Sequence, residues 1–180
     1  MRLASSLDGF LAANERRALR MAQLATRDAD DALDLVQDAM IQLARRYANR
    51  DPSEWAPLFH RILDNRIRKW RFRYVIRTRW LGLRATADDE GIEPLDTLPG
   101  LEAHEPDAQL TQQQTLRGVQ QALRRLPDRQ RQAFLLRHWQ GLSTEDTAVA
   151  MSCSTGSVKT HLSRALAALK PLLVQQGVTP

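Results

Sequence analysis

The feature that most constrains this chain is a change of sign along it. Residues 61–80, RILDNRIRKWRFRYVIRTRW, hold eight Lys/Arg against one Asp, interleaved with Trp70, Phe72, Tyr74 and Trp80. Residues 85–107, ATADDEGIEPLDTLPGLEAHEPD, then hold eight acids and no Lys or Arg, with Pro94, Pro99, Pro106, Gly91 and Gly100. A segment so charged and so interrupted buries too little apolar surface to offset the entropy of ordering it, and it reads as a linker. The chain is therefore expected to form two blocks, 1–80 and 112–180, joined by an acidic flexible linker over 81–111.

Both blocks carry helical periodicity, and neither alternates apolar and polar residues over a strand's length. Leu7, Phe10, Leu11, Ala18, Met21, Ala22 and Ala25 recur at the spacing of one apolar face. Asp28 to Asp31 supplies a turn and a helix start, with acids suited to the positive end of the helix dipole. Ala32, Leu35, Val36, Ala39, Met40 and Leu43 make the next face. The stretch from Asn49 to Trp55 reads as a loop, because Pro52 interrupts a continuing helix and Ser53 is placed to cap a new one. Trp55, Leu58, Phe59, Ile62, Leu63, Ile67 and Trp70 then mark a third helix.

In the second block Leu116, Val119, Leu123 and Leu126 line one helix. Pro127-Asp128 opens another, carrying Ala133, Phe134, Leu135 and Trp139, which Gly141 ends in the position where a left-handed residue is usual. Ser143 is placed to cap a short helix through Met151, and a turn from Ser152 to Thr155 precedes the last helix. Two short helices joined by a tight turn and backed by a third follow the helix-turn-helix plan. The expected fold class is all-α: two small helical domains, the C-terminal one a helix-turn-helix.

The net charge of +5 and a pI near 10.1 favour an anionic partner without specifying a fold. Cys153 is the only cysteine, which excludes an intramolecular disulfide and a metal site built on cysteines. That usage fits a reducing compartment, and a cytoplasmic location is expected. No apolar run approaches the ~18 residues of a membrane span, and Asp8 and Asn14 to Arg17 interrupt the first apolar residues too early for a signal peptide. No membrane insertion is expected. His60, His104, His138 and His161 lack ligand spacing, and no Gly-rich phosphate loop, nucleophile elbow or convergent acid pair occurs. No metal, cofactor or intrinsic catalysis is expected.

The last helix, in CSTGSVKTHLSRA (residues 153–165), is the most specific local signal. Advancing about 100° per residue from Val158 brings Leu162, Leu166 and Leu169 within a quarter turn, with Ala165 close by. That stripe is the expected core side. The opposite side collects Gly156, Ser157, Thr160, Ser163 and Arg164, flanked by Lys159 and His161, and carries no acid. A merely solvated face usually mixes both signs. Small donors with two cations suit a major groove, where Arg and Lys reach guanine edges and phosphates. The amides near Thr155 and Gly156 stand where a helix start cradles phosphate. The basic–aromatic run of residues 61–80 matches a different need: neutralised backbone plus flat faces for unstacked bases of single strands.

The stretch LPDRQRQAFLLRHWQGLSTEDTAVAMSCSTGSVKTHLSRALAAL resembles the promoter-reading C-terminal domain of bacterial sigma factors, particularly the extracytoplasmic-function (ECF) group. Response-regulator output domains share part of that pattern. The first block separates the two: DALDLVQDAMIQLARRY resembles the sigma helix that docks on the polymerase clamp, and PLFHRILDNRIRKWRFR the helix that melts and holds the upstream promoter element. By that resemblance Asp34, Leu35, Gln37, Asp38 and Ile41 face core RNA polymerase. Asn65, Arg66 and Lys69, with neighbouring cations such as Arg61, contact the non-template strand near minus ten. The loop from Asn49 to Glu54, with Arg50 and Ser53, pockets a flipped base. Thr155, Gly156 and Ser157 approach the minus-thirty-five backbone, and Lys159, Thr160, Ser163 and Arg164 match positions that read that duplex. The implied partners are core RNA polymerase, promoter DNA and, in some members, an anti-sigma factor.

The resemblance breaks at Trp55-Ala56-Pro57-Leu58-Phe59, where the family carries an aromatic–x–Thr–Trp–Leu run, so base choice near minus ten is not implied. Two other readings fit parts of the sequence. One is a helix-turn-helix regulator whose first half binds a signal or a second subunit. The other is a nucleic-acid-processing enzyme that binds metal through the acids from Asp88 to Asp96.

Overall fold

The computed structural model describes residues 6–26, 28–80 and 117–175, all in helices and their connections. The acidic segment 81–111, the expected helix start at Gln112 to Leu116, and His104 lie outside them. Helix α1 spans Leu7–Thr26, α2 Ala29–Tyr47 and α3 Pro52–Trp80. Asp28 caps α2, its Oδ1 accepting the Asp31 amide at 2.8 Å. The buried Thr26 hydroxyl is satisfied locally, donating to the carbonyls of Ala22 at 3.1 Å and Asp28 at 2.9 Å. At the start of α3 the expected cap moves back two residues, from Ser53 to Asp51. Pro52 is favoured at a first helical position, where its missing N–H costs nothing. The Asp51 Oδ1 then accepts both the amide (2.8 Å) and the hydroxyl (2.5 Å) of Ser53.

The three helices close on Ala18, Ala22, Leu35, Val36, Ala39, Leu43, Phe59, Leu63 and Ile67. Phe10 is wedged against Trp55 and Phe59, with ring centroids 5.9 and 6.1 Å away. Trp55 buries its ring and still satisfies its one donor, reaching back to the Tyr47 carbonyl at 3.1 Å. That bond ties the end of α2 to the beginning of α3 across the loop.

The second group begins with α4, helical over 117–125, and continues with α5, Asp128–Phe134. Helix α5 passes into a single π turn at Leu135–Trp139, where the Gln140 amide reaches the Leu135 carbonyl at 2.9 Å. The widened turn closes at Gly141, whose φ of +73° lies in the left-handed region that side chains disfavour. Helix α6, Thr144–Met151, has the expected cap: Ser143 Oγ accepts the Asp146 amide at 2.9 Å. Ser152 then adopts a left-handed φ of 51°, and α7 runs from Thr155 to Gln175. Ala122, Leu123, Leu126, Leu136, Met151, Val158, Ala165 and Leu169 form the core of this group.

The two groups meet. Helix α3 lies along α6, and the face of α1 divides: Ala18 and Ala22 serve the first core, while Met21 is buried in the second, with Leu24 and Ala56 packed beside it. Asp64, the one acid of the basic run, is 9% exposed in this seam. Arg71 spans it, donating to the Ala25 carbonyl and pairing with Asp128 at the start of α5.

Candidate nucleic-acid interface

The three groups of predicted residues do not map one to one onto surfaces. On α2, Asp34, Gln37, Asp38 and Ile41 are exposed and share one face, as their spacing of three and four dictates. Leu35 departs from the expected clamp-facing set. It is 6% exposed and belongs to the first core, because it lies on the opposite side with Ala32, Val36 and Ala39. Asp38 is not a free carboxylate: it pairs with Arg66 of α3, which also donates to Gln42 Oε1 at 3.1 Å. One of the cations expected at the single strand thus bridges to the face expected at the polymerase.

The minus-ten residues divide between the start and the middle of α3. Asn49, Arg50 and Ser53 are exposed at its start, where Arg50 lies 3.6 Å from Glu54. About three turns further along, Asn65 and Lys69 are exposed on one face. The Asn65 Oδ1 accepts from Arg68 at 2.5 Å, while Arg68 also pairs with Asp64 at 3.0 Å. Arg61 points elsewhere. It lines a cleft with Glu145 and Val149 of α6 and with Cys153, Ser154 and Thr155 at the start of α7.

On α7 the expected face is in place. Thr155, Gly156, Lys159, Thr160, Ser163 and Arg164 are exposed and Ser157 is half-buried, opposite buried Val158, Ala165 and Leu169. Ser154 organises the helix start, its Oγ accepting the Ser157 amide at 3.1 Å and meeting the Ser157 hydroxyl at 2.9 Å. A Cβ at Gly156 would meet only Ser154 Oγ, at 3.8 Å, so the fold itself does not require a glycine there. Leu166 departs from the expected core stripe and is 46% exposed. It sits about 80° from Val158, at the stripe's edge, where the packing no longer covers it. Cys153 packs half-buried against the second core, its amide donating to the Ala148 carbonyl at 3.0 Å.

The seam residues were not among those expected from sequence. Burial pushes the Asp64 carboxyl pKa up, against the pull of Arg68, Arg129, Gln132 and Arg71. Burial acts the same way on Asp128, but Arg71 and Arg131 outweigh it and hold that carboxyl below its usual value. His60, one turn from both Ala56 and Asp64, is fully buried, and desolvation lowers its imidazole pKa to about 4. The isolation of one acid among eight cations was the only sequence signal for this cluster. Among the described residues no group of three or more His, Cys, Asp or Glu could hold a metal ion, and no helix is long and apolar enough to cross a membrane. The acids from Asp88 to Asp96 lie outside those residues.

Comparison with known proteins gives these surfaces a family. A model described as sigma-70, region 4 matches residues 116–169. The chain is 36% identical over 161 residues to the RNA polymerase sigma-E factor of Streptomyces coelicolor, spanning 89% of this chain and 81% of that one. It is 32% identical over 173 residues to the ECF RNA polymerase sigma factor SigM of Mycobacterium tuberculosis, spanning 93% and 77%. Among solved structures it resembles the sigma factor RpoE of Bartonella quintana in complex with the anti-sigma factor NepR, with a TM-score of 0.57, 28% identity and 91% of each chain covered. The chain belongs to the extracytoplasmic-function sigma factors of RNA polymerase. Its function is theirs, the direction of transcription initiation, and the regulator with an unrelated first half is set aside because the likeness runs through both halves.

Proposed function

We propose that the chain joins core RNA polymerase through the α2 face of Asp34, Gln37, Asp38 and Ile41. It holds the minus-ten strand with residues 49–54, the connection and first turn of α3, and with the Asn65–Lys69 face, and reads minus-thirty-five duplex with α7. The first half, through residue 80, docks and melts; the second, from residue 112, reads duplex. The protein works in the cytoplasm, has no catalysis of its own and lends promoter choice to the polymerase's chemistry. An anti-sigma factor is a further partner in this reading, supported by the similar RpoE chain bound to NepR.

The observation that carries the reading is the exposed, acid-free face of α7 opposite its buried stripe. Gly156 keeps the helix start open beyond what packing needs, which is the room a phosphate backbone requires for close approach to the amides of Thr155 and Gly156. Lys159 and Arg164 then lie one and two turns along, within reach of base edges and phosphates.

Run-off transcription with purified core polymerase tests this. Specific initiation that depends on the chain is expected. Tight duplex binding without association with core would sink the docking assignment, and DNA cleavage dependent on a divalent ion would sink the claim that the chain lacks catalysis.

A further inference from the structure

We propose that Arg129 of α5 is a positioning residue for minus-thirty-five recognition, holding the turn from which the reading helix α7 starts. The proposal rests on reading α7 as the helix that enters the duplex.

The last carbonyls of a helix have no partner within it, and α6 is only eight residues long. Two of those carbonyls are met by the turn itself: the Ser152 amide donates to Val149 at 3.2 Å and the Cys153 amide to Ala148 at 3.0 Å. The Met151 carbonyl is met from another helix, by Arg129 Nη1 at 2.9 Å. The same nitrogen donates to Gln132 Oε1 at 3.1 Å, so α5 itself helps to fix the guanidinium. Arg131, two residues on, is turned instead to Asp128 at 2.6 Å. Across the seam the Arg129 charge is answered by Asp64, whose carboxyl it draws, with Arg68 and Arg71, toward the ionised form.

Met151 is fully buried, so solvent does not reach its carbonyl, and loss of the guanidinium leaves an unpaired buried acceptor in the turn. Ser152, the next residue, is the one non-glycine with a positive φ among the described residues, and Thr155 begins α7 three residues later. Packing of Val158, Ala165 and Leu169 fixes which side of α7 is buried, while the turn fixes where the helix begins and how it tilts. Arg164 lies nine residues beyond Thr155, about 14 Å along the axis, so a tilt of about 10° displaces it by about 2 Å. That exceeds the latitude of a hydrogen bond, whose length varies over about 0.5 Å. Arg129 therefore acts on every contact of the α7 face without touching DNA.

The test uses the full chain assembled with core polymerase, on a promoter duplex and on a fork that keeps the minus-ten element and lacks the minus-thirty-five. Arg129→Met, which keeps the apolar stem and removes the donors, is expected to weaken binding to the promoter roughly tenfold and to leave the fork unaffected. Discrimination is expected to fall at several base pairs of the minus-thirty-five element, against one for Arg164→Ala. Amide hydrogen exchange of the free chain is expected to quicken from Ser152 to Ser157 and to stay unchanged in α4 and α5. Arg129→Lys, whose ammonium still offers the carbonyl a donor, is expected to recover most of the affinity and the protection. Weaker promoter binding with unchanged exchange makes Arg129 a DNA contact, and faster exchange throughout 117–175 makes it a general support of the second block; either overturns the proposal. If Arg164→Ala weakens promoter binding and Arg129→Met does not, positioning is wrong and the reading of α7 stands. If neither weakens it, the reading of α7 fails and the proposal falls with it.

Discussion

His60 shows what burying a single titratable group does to this molecule. Its ring packs against Phe59 with centroids 5.2 Å apart, and its Nδ1 has no hydrogen-bond partner. Charging it in place is unfavourable, hence the pKa of about 4 against an ordinary 6.5. The folded pKa is depressed, so the unfolded chain takes up the proton first. Stability is then complete above pH 6.5, declines as pH falls toward 4, and changes little from this source below that. Two and a half pKa units correspond to roughly 3 kcal/mol. Asp64 works in the opposite direction, its raised carboxyl pKa penalising the ionised form above pH 3.8. Comparison with His60→Leu isolates the imidazole. Urea denaturation at pH 7.5 and pH 5 is expected to show a larger loss of stability in the native sequence than in the variant. Equal losses in both would mean that His60 remains accessible to protons in the folded state.

At the scale of elements, the helices that sequence predicts correctly are those whose signals are local. Asp28, Ser143 and Gly141 fix ends that depend on a few neighbouring atoms, and each sits where the sequence placed it. Errors fall where a face meets its edge or where a cap competes. Leu166 lies at the edge of its stripe, and only the packing decides which side it joins; the spacing already sets Leu35 on the apolar face, and only the resemblance turns it outward. Asp51 takes the cap from Ser53 because the proline fixes where the helix begins. The exposed α2 face carries a test of docking. Asp38→Arg is expected to weaken capture of core polymerase and to free Arg66, while thermal stability stays within about 0.5–1 kcal/mol of native, the pair being more than half exposed on the Asp38 side. Unchanged pull-down of core would remove Asp38 from the interface. On α7, Arg164→Ala should lower promoter affinity by roughly 1–3 kcal/mol and relax selectivity at one base pair. A footprint at minus thirty-five identical to that of the native chain would refute a base contact there.

For the whole molecule, the acidic segment announces two blocks, but nothing local announces that they touch. Met21 and Ala56 look like ordinary first-block residues in any window, and their burial against the second core is a long-range fact. The seam rests on that apolar contact more than on the Arg71–Asp128 pair, whose acid is two-thirds exposed. Ala56→Arg, which inserts an unpaired charge at the contact, is expected to separate the blocks without unfolding either. Energy transfer between dyes on α1 and α7 should then fall, and unaltered transfer would show that Ala56 does not hold the seam. The cleft that places Arg61 opposite Thr155 has a further consequence, one of length. Elements ten and thirty-five positions upstream are about 25 base pairs apart, roughly 85 Å of straight duplex at ~3.4 Å per pair. If α3 holds the minus-ten strand and α7 the minus-thirty-five duplex, as proposed, helices packed across one cleft do not reach both ends of that distance. The 36 residues from Leu81 to Leu116 reach at most about 130 Å when fully drawn out, enough to cover it. On that proposed reading, the halves part at the seam before one chain becomes a ruler long enough for a promoter.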